Sequence, residues 1–177
     1  MATLIQNPLA TSQDPVIKTY GVLSVVAPRV LVYFCRDPKI KNAVELFLKQ
    51  EREFKLEECV LMSEFGGVLY GAEHSRLPFE NFTFSNQLKF ALQIFPTIDM
   101  VVGINHEGCG RYAAAHAAWG NSFLGGSGYT MVDRQKRDLA VFSDAVRQVI
   151  APRSISIRVF HMNFANQERT RVSFEEV

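Results

Sequence analysis

The sequence predicts an α/β fold: an open, mostly parallel sheet flanked by helices. Short continuous apolar runs at residues 30–34 (Val-Leu-Val-Tyr-Phe) and 101–104 (Val-Val-Gly-Ile) are of the kind that a parallel sheet covers on both faces. Between and after them lie segments with apolar residues at helical spacing, so strand alternates with helix along the chain. At 177 residues, 47% of them hydrophobic, the chain is long enough for a substantial single core.

Taken in order, residues 1–14 are polar and turn-rich and read as a flexible N-terminal arm, with residues 15–177 forming one domain. A first buried strand at 29–34 ends in Cys35-Arg36-Asp37-Pro38-Lys39. Ile40, Ala43, Val44, Phe47 and Leu48 then make residues 38–50 an amphipathic helix. A second strand at 58–62 runs into Ser63-Glu64-Phe65-Gly66-Gly67. Leu88, Ala91, Leu92 and Phe95 mark another helix, with Ser85 placed to cap it, before the central strand. An alanine-rich helix spans 111–119, and Gly125 to Gly128 form a loop. Asp133 opens a helix through Ile150, and Ile155, Ile157 and Val159 alternate as a closing strand.

The central strand runs into His106-Glu107-Gly108-Cys109-Gly110, and its His-x-x-Cys spacing lets one tight turn aim an imidazole and a thiolate at one point. Gly108 and Gly110 are expected to permit that turn. Zinc takes nitrogen and sulfur ligands in a tetrahedron, and Cys35, ending the first strand, is the candidate third ligand. In open α/β sheets ligands bind beyond the carboxyl ends of the strands, where strand order reverses. If the first and central strands are neighbours, the three side chains converge there. Three ligands leave one open position, where water loses a proton near neutrality because the metal stabilises hydroxide.

Cys-Arg-Asp-Pro-Lys after strand one, Gly66-Gly67 after strand two and His-x-x-Cys-Gly after the central strand resemble, in that order, the β-class carbonic anhydrases. The resemblance covers roughly residues 27–164. It implies zinc, one per chain, on Cys35, His106 and Cys109, and a catalytic dyad of Asp37 and Lys39 beside the metal-bound water. It implies reversible hydration of carbon dioxide to bicarbonate by zinc-bound hydroxide, in a homodimer or higher homo-oligomer. The family's dyad cation is arginine. Lysine keeps the charge without the planar two-pronged grip, so Asp37 is expected to be held less firmly. Two other readings stay open: a zinc hydrolase of carbonyl sulfide or carbon disulfide, and a non-catalytic relative in which Asp37 closes the zinc site.

Simpler roles exist for single residues. Asp37 before Pro38 makes a helix cap with proline at the first position. Cys59, inside a strand, reads as core filling, and Arg36 and Glu64 as solvated or structural ion pairs. His74, His116 and His161 read as surface or packing residues. A net charge of +1 argues against an extended nucleic-acid footprint, and no apolar run approaches a membrane span. Three cysteines with no basic-plus-apolar leader after Met1 point to a reducing, cytoplasmic setting.

Overall fold

The computed structural model describes residues 27–51, 54–73 and 75–177, so the arm at 1–14 and His74 lie outside the described residues. Its strands are β1 (Val30–Cys35), β2 (Cys59–Glu64), β3 (Met100–His106), β4 (Ser156–Phe164) and β5 (Val172–Glu176). They form one sheet in the order β2-β1-β3-β4-β5. All neighbouring pairs are parallel except β4 with β5. The expected mostly parallel sheet is present. From β1 the chain moves to one edge to form β2, then returns to the other side of β1 to form β3. Strand order therefore reverses between β1 and β3, where such sheets open a crevice at their carboxyl ends.

Helices cover both faces, as continuous apolar strands require. On one face α1 (Pro38–Gln50) sets Ile40, Val44, Phe47 and Leu48 against Val30, Val32, Phe34, Val102 and Ile104. On the other, α3 (Pro78–Ile94) and α6 (Met131–Ile150) pack Leu88, Leu92, Leu139, Phe142 and Val146 against Leu31, Tyr33, Val101 and Val159. Gly103 interrupts the apolar run of β3 because Phe142 occupies the space of its missing side chain. A Cβ there would lie 2.6 Å from the Phe142 ring. Shorter helices α2 (Leu69–Ala72), α4 (Gly110–Trp119) and α5 (Asn121–Leu124) complete the fold. Among the described residues no helix is long and apolar enough to cross a membrane.

Three boundaries differ from the sequence reading. Ser85 is not a cap: α3 begins a full two turns earlier, at Pro78, whose missing N–H and fixed φ suit a first helical position. Asp133 lies one turn inside α6. Thr130 is the cap, its hydroxyl accepting the Asp133 N–H at 3.1 Å while the Asp133 carboxylate accepts the Thr130 N–H at 2.8 Å. The strand at Ile157 and Val159 is not the last one either. β5 closes the sheet antiparallel to it, a strand too short and too charged to stand out by pattern.

β5 is fastened from three sides. The Phe174 ring stacks on Phe47 of α1 at 4.2 Å between centroids. Glu175 meets the Lys136 ammonium at 2.7 Å and Glu176 the Arg158 guanidinium at 2.6 Å. Hydrogen bonds from these cations hold both carboxyl groups below the ordinary glutamate value. A depressed folded-state pKa means stability that is present above the unfolded value and lost as pH falls through the folded one. Both pairs are solvent-exposed, so the effect is local and small. Hydrogen exchange at about pH 3 and about pH 7, corrected for intrinsic rates, should show β5 amides losing protection on acidification while β3 amides keep theirs. Equal retention in both strands would count against the carboxylates as fasteners.

Candidate metal centre

Parallel pairing of β1 with β3, in register from Val30 with Met100 to Tyr33 with Gly103, sets the carboxyl ends of the two strands side by side. Cys35 is the last residue of β1 and His106 the last of β3. A two-residue turn, Glu107-Gly108, leads to Cys109, the N-cap of α4. Gly108 takes φ +71°, which glycine adopts without strain. Gly110 does not have the role expected of it: its φ is not positive and a Cβ there would meet open space. Gly67 is the more constrained residue, since a Cβ on it would lie 2.9 Å from the Cys35 backbone nitrogen. Its φ of +51° and bare Cα let the turn after β2 close against the end of β1.

The three ligand atoms of Cys35, His106 and Cys109 lie within 4.8 Å of one another, and all three residues are buried. The two sulfurs stand 3.8 Å apart. Two sulfurs each about 2.3 Å from a tetrahedral zinc would stand about 3.8 Å apart. The His106 ring completes the fit. Its Nδ1 lies 2.9 Å from the Glu107 carbonyl, which only accepts, so Nδ1 carries the proton. That leaves Nε2 with a lone pair, and Nε2 is buried with no hydrogen-bond partner. A buried imidazole lone pair beside two thiols is a donor set that suits zinc.

Backbone polarity also favours thiolate here. Hydrogen bonding from Cys109, with support from the backbone N–H groups of Gly66 and Asp37, holds the Cys35 thiol well below its ordinary value. Cys109, as donor to that thiolate, is held far above it, with burial adding to the effect. The metal-free pair thus shares one proton.

Asp37 caps α1, its Oδ1 accepting the Lys39 backbone N–H at 3.0 Å. The Lys39 side chain is exposed, and no ion pair joins its ammonium to Asp37. Asp37 lies outside the three-residue cluster but lines a cleft of about 550 Å³ with Cys35, Pro38, Phe65, Gly66, Tyr70, Gly110 and Arg111. Arg36 and Glu64 form a loose ion pair at 3.8 Å on the surface. Cys59 is half-buried, its thiol donating to the Lys55 carbonyl at 3.3 Å, and burial pushes its pKa up to about 11.

Sequence reasoning missed the polar scaffold behind the cluster. The Asn105 side-chain oxygen accepts the His106 N–H at 3.0 Å, and the Gln135 amide donates to the His106 carbonyl at 2.7 Å. Gln135 Oε1 in turn faces His161 Nε2 at 3.1 Å. Burial lowers the His161 pKa, so the ring stays neutral and donates through Nε2. Asn105 also donates to the Tyr112 hydroxyl, which donates to Asp138, which accepts both short contacts from Arg134 Nε. Arg134 continues to Glu73 at 2.7 Å and to the Phe123 carbonyl, with its guanidinium carbon 4.3 Å from the Phe123 ring centroid. The one signal for this scaffold was an amide, Asn105, inside an otherwise apolar strand. The partners on α6 carry no pattern of their own.

Among solved structures, the chain is similar to β-carbonic anhydrase isoform I (TvaCA1) of Trichomonas vaginalis. Identity is 14% and the TM-score 0.56, over 90% of this chain and 87% of that one. It is also similar to the β-carbonic anhydrase CcaA, at 12% identity and a TM-score of 0.52, over 85% of this chain and 77% of that one. The architecture is therefore the β-carbonic anhydrase fold that the ordered motifs implied. No protein-family model matches the sequence, and no curated protein matches it.

Arg134 is 6% exposed and neutralises two buried carboxylates. Removing one partner from such a group leaves uncompensated buried charge. Arg134→Leu is expected to lose about 3–5 kcal/mol in urea unfolding. A loss within about 0.5 kcal/mol, as for an ordinary surface site, would show the network to be dispensable.

Proposed function

We propose that this chain, with the fold of the β-carbonic anhydrases, is a zinc enzyme that reversibly hydrates carbon dioxide to bicarbonate and a proton. Cys35, His106 and Cys109 would hold one zinc per chain. The observation that carries this reading is a cysteine–histidine–cysteine cluster, spaced for a tetrahedral ion, beside a cleft at the β1–β3 crevice. Zinc on three protein ligands keeps an open position and, as a Lewis acid, acidifies water towards neutrality.

The chain's own residues supply the rest. Pro38, Phe65 and Tyr70 line the cleft with apolar surface suited to an uncharged gas. Asp37 Oδ1 is engaged by the Lys39 N–H, which leaves Oδ2 to accept a hydrogen bond from water in the cleft and orient it towards the substrate carbon. Lys39 acts in this through its backbone. The same capping bond supports an open site over one closed by Asp37. Asn105 and Gln135 grip the backbone on both sides of the His106 side chain and keep its Nε2 aimed at the two sulfurs.

The proposal extends to a homodimer or higher homo-oligomer in a reducing, cytoplasmic setting. Phe79, Phe82, Phe90 and Ile94 are exposed along α3, as is Phe65 at the cleft, an amount of bare apolar surface that a second copy would cover. The three free cysteines suit a reducing compartment.

Metal analysis of protein purified without added metal is expected to find about one zinc per chain. Cys109→Ser should lose both the zinc and carbon dioxide hydration measured by stopped flow. Metal-free parent protein would overturn the metal assignment, and zinc-loaded protein inert towards carbon dioxide across the pH range would overturn the reaction. Light scattering is expected to give at least twice the 20.0 kDa chain mass, and a monomer would remove the oligomer from the proposal.

A further inference from the structure

Arg111 stands out among the residues that line the cleft. It lies in the first turn of α4, where the N-terminal end of the helix dipole disfavours a cation. The Glu80 carboxylate and the Tyr70 ring offset this only in part, and a local rule broken without full compensation is a mark of function. No hydrogen bond joins its guanidinium to any described residue. Nε is buried without a partner, and the Glu80 carboxylate, at 3.7 Å, is a loose ion pair beyond hydrogen-bonding distance. An unpaired buried donor costs about 1–3 kcal/mol, so an acceptor arriving beside this half-exposed guanidinium would relieve that cost.

The guanidinium is nevertheless held in place. Its carbon lies 5.9 Å from the Tyr70 ring centroid, within cation–π range. Gly66 makes room for its stem: a Cβ on Gly66 would lie 2.8 Å from Arg111 Cγ. The Gly66 backbone also bonds the Cys35 thiol, so one residue meets both the Arg111 stem and the cysteine cluster.

Charge completes the argument. The one carboxylate among the residues lining the cleft is that of Asp37, which repels anions. The Lys39 ammonium is exposed and does not line the cleft. Arg111 is thus the cationic side chain among the residues lining the cleft.

We infer that Arg111 is the anion-binding residue of the cleft, and that its guanidinium, not the Lys39 ammonium, receives the O–C–O group of bicarbonate or another small carboxylate. The naming of bicarbonate rests on the proposed reaction. The site for a planar oxyanion does not. Guanidinium offers such a group two parallel N–H bonds, a match that ammonium lacks.

The test titrates sodium bicarbonate, and separately sodium acetate, into metal-free and zinc-loaded protein, following backbone amide shifts by NMR. Arg111→Gln is expected to weaken binding at least about tenfold, as for loss of one charge-assisted bond. Arg111→Lys should recover part of the loss, and Lys39→Gln should bind as the parent does. Loss for both anions assigns Arg111 to carboxylates in general, and loss for bicarbonate alone to that species. Either upholds its role. Parental affinity in Arg111→Gln, or an equal loss in Lys39→Gln, overturns it. Zinc content of the same samples is read independently, so a metal-free protein would end the proposed reaction while the anion titration still decided Arg111.

Discussion

The parallel pairing of β1 with β3 is the constraint on which everything else here depends. β1 carries Cys35 at its carboxyl end, and β3 carries His106 and then Cys109. Neither strand alone offers a site. Their adjacency follows from a chain that forms β2 on one side of β1 before crossing to the other, which leaves a crevice where the order turns. Both faces of that pair are filled by α1 and by α3 with α6, so the ends cannot drift apart without opening the core. Gly67 tightens the arrangement by letting the turn after β2 press on the Cys35 backbone.

Behind the cluster, polar chemistry is buried in quantity and almost completely paired. Glu73, Arg134, Asp138, Tyr112, Asn105 and Gln135 are each under 7% exposed, and each has a partner of matching donor or acceptor character. A polar network inside a low-dielectric core is rigid when satisfied and destabilising when it is not. Its contacts with the His106 N–H and carbonyl tie the backbone of that residue to α6. The helix that closes one face of the sheet therefore also sets the direction of an imidazole on the sheet's edge.

The sequence made the fold class legible because continuous apolar strands and helical periodicity are strong local signals. The cluster was legible because both of its segments sit at strand ends with glycine-rich turns, and the resemblance fixed their order. Other features were written in three dimensions. β5 has only Val172 and Phe174 facing inward, and its place depends on a stack with Phe47 more than a hundred residues away. The start of α3 was misread because Phe79 and Phe82 are exposed, which blurs its apolar stripe. Arg111 looked like an ordinary helical arginine until its neighbours Gly66, Tyr70 and Glu80, from three other parts of the chain, were in view. Lys39 shows the converse. The resemblance implied a side-chain dyad with Asp37, and the bond seen between the two residues uses the Lys39 main chain.

The two sulfurs that stand 3.8 Å apart are separated by 74 positions along the chain. An ion gripped by both would see its complete ligand set only in the folded molecule, so its affinity would be drawn from the folding equilibrium and returned to it by mass action. Metal supply would then set the lifetime of the protein as well as its chemistry. In a starved cell the chain would be lost to proteolysis through its open forms, and the pool of protein would follow the pool of metal.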